Sequence, residues 1–263
     1  MVMKYISFLR FLFLLVFMTI TIVSCSKSED DDTTSPMVIE NNGEDPSEED
    51  TDNPILTSFQ RRTISYFKEI ALGFEFGNAS ETTRKWLSAM KIYVHDGAPQ
   101  VLLDELNIII DDINALTTDD FTMEIVEDKA NSNYEIFLGT AADYAILEPG
   151  LADQTEANFG LFNVSFGGGG QEIVGGTMYV DTERATEMEQ KHLLREELTQ
   201  SLGLAKDSSK FSDSIFQAAF STKVVAYSTI DEELIRLLYH PEMKVGLNED
   251  SVEDVLIQIL SKN

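Results

Sequence analysis

Between residues 99 and 116, apolar positions Leu102, Leu106, Ile109, Ile113 and Leu116 recur three or four apart, which predicts an amphipathic helix with one buried stripe. Residues 63–72 carry the same spacing in Ile64, Phe67, Ile70 and Ala71 and predict an earlier helix. The stretch 81–90 fits either a helix or an irregular run, and 91–95 alternates as a strand does. Further short apolar runs read as strands at 121–126, 134–138, 159–166 and 173–180. A polar turn at 127–132 separates the first two of these, and the glycines 167–170 separate the last two. Helical spacing returns over 185–202, with Gly203 placed to end that helix. More helices are predicted at about 213–220, 230–239 and 250–261. There is no internal repeat.

The pattern before residue 54 is of another kind. Lys4 and Arg10 precede an apolar run at 11–23, of signal-peptide length and short for a membrane span. Ile22-Val23-Ser24-Cys25 resembles a bacterial lipobox, which implies a signal peptide over 1–24 and a diacylated Cys25 as the mature N-terminus. A cleaved soluble signal and an N-terminal anchor helix are the alternatives. Cys25 is the only cysteine, so no thiol remains for disulfides, iron–sulfur clusters or thiolate catalysis. Residues 26–53 hold eleven acidic residues and one lysine with little that is apolar, the composition of a disordered, self-repelling tether. The expected partner of the anchor is therefore the membrane, through lipid on Cys25, since two acyl chains suffice for stable attachment. The run 27–32 resembles a lysine-plus-acidic export signal of outer-membrane lipoproteins. It favours the cell-surface face over the periplasmic one.

Residues 54–263 then form one domain. The leader contributes +2 and the tether −10 to the chain's −27, which leaves −19 on this domain. Such a field repels nucleic acid and anionic headgroups, so neither is expected as a partner.

The chemistry concentrates in Glu196-Glu197-Leu198-Thr199-Gln200-Ser201-Leu202-Gly203-Leu204. The segment resembles the zincin pattern H-E-x-x-H followed by x-L-G-L, in which two histidines one turn apart clasp Zn²⁺ and the glutamate activates water. Glu197 stands at the position of that glutamate, a candidate general base, whereas Glu196 and Gln200 replace the histidines. The predicted order of strand, long helix, four strands, motif helix and helical C-terminal part is also that of a zincin catalytic domain. The expected fold class is α+β and zincin-like, with a twisted mixed sheet.

Taking about 100° per residue from His192, the leucines of the motif helix span an arc of about 100–280°. Glu197 falls inside that arc and Glu196 and Gln200 on its margin. A carboxylate there must be bonded, paired or bound to a cation. Either it belongs to a site, or it clamps the core through backbone amides or an arginine such as Arg84 or Arg236. A glutamine amide is a poor zinc ligand, and two carboxylates with an amide suit Ca²⁺ or Mg²⁺ better. His192 reads as a helix-surface residue, with an H-x-x-x-E pair to Glu196 as the alternative; His95 and His240 read as structural.

Beyond the helix, Asp207, Asp213-Ser214-Ile215-Phe216, Asp231, Arg236-Leu237-Leu238-Tyr239-His240-Pro241 and Gly246 complete a set, from 192 to 246, that resembles domain-of-unknown-function family 2927. That bacterial family is grouped with zincin-like peptidases and itself carries E-E-x-x-Q. The resemblance implies an inherited loss of the histidines and makes Asp207 a third candidate metal position beside Glu196 and Gln200. The glycines at 167–170 and 175–176 lack a G-K-[ST], and Ser214 lacks a G-x-S-x-G elbow, so neither marks phosphate binding or a nucleophile. Trp86 reads as core. The expected function is a pseudo-peptidase that binds a peptide or protein in the old cleft, without a cofactor. An active peptidase using a divalent cation and a purely structural envelope lipoprotein are the alternatives.

Overall fold

The computed structural model describes residues 56–74, 79–219 and 224–262. The leader, Cys25 and the acidic tether lie outside the described residues. Helix α1 (Ser58–Ala71) opens on a capping box of Thr57 and Gln60, and its buried stripe includes Ile64, Phe67 and Ile70. The run 81–90 is irregular apart from the two-residue strand β1 (Lys85–Trp86). Strand β2 (Met90–Val94) leads into helix α2 (Gln100–Leu116), whose predicted stripe is buried at every position. Strands β3 (Met123–Ile125) and β4 (Tyr134–Gly139) follow, then helices α3 (Ala141–Leu147) and α4 (Ala152–Ala157), strands β5 (Gly160–Phe166) and β6 (Glu172–Asp181), and the motif helix α5 (Glu187–Gln200). Helices α6 (Thr229–Leu238) and α7 (Glu249–Leu260) close the chain.

The sheet is mixed, as expected, and predominantly parallel. Its order is β1-β6-β4-β2-β3, with β5 antiparallel on β6. The α2 crossover makes β2 and β3 parallel neighbours. Period-two alternation divides the faces: Tyr134, Ile136 and Leu138 are buried, while Glu135, Phe137 and Gly139 are half-exposed. The buried face joins Leu106 and Ile109 of α2 and Leu194 and Leu198 of α5 in one core. On the other face, α3 lays Tyr144 against Tyr179 (4.9 Å between ring centres) and Phe137 (5.8 Å).

Two segments depart from expectation. Helices α3 and α4 span seven and six residues, too little for an apolar period to show. Residues 213–219, predicted helical, form turns instead. Asp231 of α6 takes over their hydrogen bonding, accepting from the Ser214 hydroxyl (2.5 Å) and the Ile215 amide (3.0 Å). Ser214 is thus a buried structural hydroxyl. Trp86 is core, with its indole N–H donating to the Ser201 carbonyl (3.0 Å). Among the described residues no helix is long and apolar enough to cross a membrane.

Candidate functional site

Helix α5 begins at a reciprocal cap between Thr186 and Glu189. Gly203, just past its end, has φ +115°, and a methyl group there would stand 2.0 Å from the Arg84 carbonyl oxygen, so the turn out of the helix requires glycine. The helix packs against α2, β5 and β6. Arg195 pairs with Glu105 (3.0 Å) and Asp112 (2.8 Å) of α2.

A third flank holds the segment around 224–227. His192 Nδ1 lies 2.6 Å from the Val224 carbonyl, Thr199 Oγ1 2.7 Å from the Tyr227 hydroxyl, and the Arg195 guanidinium 4.6 Å from the Tyr227 ring centre. His192 is therefore buried (2% exposed), not the helix-surface residue that the sequence suggested. Its Nε2 faces Glu196 Oε2 at 3.4 Å, the i,i+4 pair that was the alternative reading. Burial pulls the imidazole pKa down, but the hydrogen bond and charge of Glu196 outweigh it and leave it raised.

The remaining flank carries the motif. Glu196, Glu197 and Gln200 line a cleft of about 760 Å³ together with Asp207, so all four residues singled out in the sequence share one cavity. Their burial corrects the helical-wheel reading: Glu196 is buried at 9% exposure, and Glu197, placed on the buried arc, is only half-buried. The helix is covered on nearly every side, so burial extends past its leucine arc to His192, Arg195 and Glu196. The Gln200 amide nitrogen donates to Asp207 Oδ1 (2.6 Å). Glu197 lies under β5, where a methyl group on Gly160 would stand 2.7 Å from its Oε1.

The opposite wall is β5 itself, with Phe74 and Arg84 beyond it. Arg84 and Arg236, considered as partners for Glu197, have other bonds. Arg84 donates to the carbonyls of Gly170 (3.0 Å), Ser80 (2.8 Å) and Thr82 (3.1 Å), and its guanidinium sits 5.4 Å from the Phe166 ring centre. It braces the glycine turn between β5 and β6. Arg236 pairs with Glu232 at 3.4 Å. Sequence reasoning missed Gly160, Phe74 and Arg84 as wall residues; a glycine at the head of a predicted strand was the one available signal.

The donor set does not fit zinc. Two carboxylates and an amide replace imidazole nitrogens, and the Gln200 nitrogen is turned onto Asp207. Among the described residues, no three His, Cys, Asp or Glu side chains form a group that could hold a metal ion. His95 bonds Glu135 (2.8 Å), and His240 accepts from the Glu242 amide (3.1 Å). A larger groove of about 880 Å³ lies beyond Asp207, between α1 and α7. Its Lys68, Lys206 and Lys210 pair with Glu253, Glu81 and Glu69, which makes it a salt-bridged seam.

No curated protein matches this chain. Among solved structures, one described as "Structure of Myroilysin" is similar at 12% identity, covering 59% of this chain and 82% of that one, with a TM-score of 0.35. Residues 60–258 match the family described as "Protein of unknown function (DUF2927)", a span that runs from within α1 to within α7 and includes all four motif residues of the cleft: the chain belongs to the DUF2927 family.

Proposed function

We propose that this chain is a zincin-like module without zinc chemistry, lipid-anchored at Cys25, that binds an extended peptide or protein segment along β5. The observation that carries this reading is the orientation of β5. The Asp181 amide donates to the Phe159 carbonyl (2.8 Å), and the register pairs Leu161 with Tyr179 and Asn163 with Thr177. In an antiparallel ladder such pairs turn their N–H and C=O groups toward each other, so those of Gly160, Phe162 and Val164 point the other way. Among the described residues no strand pairs that second edge. It runs along the cleft, above the α5 carboxylates, as a template for strand addition.

Val164→Pro removes one outward N–H and spares the ladder to β6. Peptides selected from a display library of random linear sequences on the wild-type chain are expected to lose binding to this variant while its circular dichroism is unchanged. Equal binding to both would sink strand addition. A second reading, a peptidase using Ca²⁺ or Mg²⁺, draws on the shared cleft of Glu196, Glu197, Gln200 and Asp207, whose side chains would have to draw together on the ion. Elemental analysis of chelator-free protein decides it: a stoichiometric divalent ion that Glu196→Ala removes supports the peptidase, and metal-free folded protein supports the binding module.

A further inference from the structure

Parallel strands are usually buried on both faces, yet at the margin of α3 the outer face of β2, β4 and β6 is only half-buried at Tyr93, Glu135 and Thr177, the last hydrogen-bonded to Tyr144 of α3 (2.9 Å). A recess of about 300 Å³ opens there, lined by Ser132, Asn133, Glu135, Asn163, Ser165 and Thr177. Gly175 keeps it open, since a methyl group at that position would stand 3.1 Å from Ser165 Oγ and 3.2 Å from the Asn133 carbonyl.

The chemistry of the lining selects a class of ligand. Glu135 Oε2 accepts from His95 Nε2 (2.8 Å) and Lys129 Nζ (2.7 Å). Burial opposes its ionisation, but these two partners hold the carboxyl below its ordinary value. The site therefore keeps a carboxylate acceptor whose charge is offset by Lys129, which favours neither a cation nor an anion. The serine hydroxyls and the Asn163 amide supply donors and acceptors side by side. Tyr93, His95 and Phe137 stand on the same side of the sheet as Glu135, with ring centres 5.2 Å (Tyr93–His95) and 5.8 Å (His95–Phe137) apart, outside the polar lining of the recess. The volume is at the lower end for small-molecule sites and suits a single ring.

We propose that this recess binds a neutral saccharide ring, its hydroxyls held by Glu135, Ser165 and Asn163. Asn163 also borders the peptide cleft, whereas Glu135 and Ser165 do not, so variants at these two separate this site from strand addition. The full-length chain would be titrated with glucose, galactose, mannose and N-acetylglucosamine, followed by saturation-transfer NMR, with sorbitol as an acyclic control. At least one pyranose is expected to bind with Kd in about the millimolar range. Glu135→Gln and Ser165→Phe are each expected to weaken it about tenfold or more, with circular dichroism unchanged. Absence of any pyranose signal, equal binding of sorbitol, or unchanged affinity in both variants would overturn the proposal.

Discussion

Glu197 reaches β5 because residue 160 has no side chain. The two positions are 37 apart in the chain and form one contact, so a change at either should be felt through the other. Gly160→Ala is expected to destabilise the protein by about 1–3 kcal/mol through overpacking against Glu197 and Leu193. Adding Glu197→Ala should relieve part of that cost, with a coupling of at least about 0.5 kcal/mol in a urea-unfolding double-mutant cycle. Strictly additive energies would mean that the glycine serves something other than the glutamate. The sequence identified Glu197 by its motif but misjudged its burial. Helical angles rank positions around one axis, and they are blind to distant polar groups such as the Val224 carbonyl and the Tyr227 hydroxyl that meet His192 and Thr199.

The elements that wall the cleft depend on polar anchors as much as on apolar stripes. Arg184, between β6 and α5, donates to the carbonyls of Thr155 (2.9 Å), Glu156 (2.7 Å) and Asn158 (2.8 Å) and pairs with Asp181, which ties α4 to the end of β6. Burial would raise the Asp181 carboxyl, but hydrogen bonds from Arg184, Tyr179 and the Glu183 amide outweigh it and hold its pKa below the ordinary value. A carboxyl depressed on folding stabilises the native state above its unfolded value, about 3.9, and loses that contribution as pH falls through the folded value. Asp181→Asn is expected to cost about 1–3 kcal/mol at neutral pH. Its stability curve should converge on the wild type as pH drops below about 4. Parallel curves across that range would show that the carboxylate charge is not what holds the anchor. The same reliance on side-chain anchors explains residues 213–219, where Asp231 replaces the expected helical ladder.

At the scale of the whole molecule, the sequence joins a long acidic segment, residues 26–53, to a domain that is itself strongly acidic. If Cys25 is the lipid attachment site, Cys25→Ser should abolish incorporation of labelled palmitate and move the protein from the membrane fraction to the soluble one. Labelling that persists in the variant would rule out Cys25 as the anchor. The family match spans 60–258 and leaves residues 26–53 outside.

The sequence by itself determined the elements that carry a long period. The α2 stripe, the alternation of β4, the motif helix with its terminal glycine and the α6 and α7 helices were all legible, because a periodic buried face or a helix-ending glycine is written locally in the chain. The E-E-x-x-Q signature and its following residues were enough to point to the family. Tertiary structure alone decided that β5 has no strand on its second edge among the described residues, that Glu196, Glu197, Gln200 and Asp207 line one cavity, and that His192 is sealed against a distant backbone carbonyl. Those are properties of residues brought together from far apart in the chain, and no local spacing records which polar groups will meet.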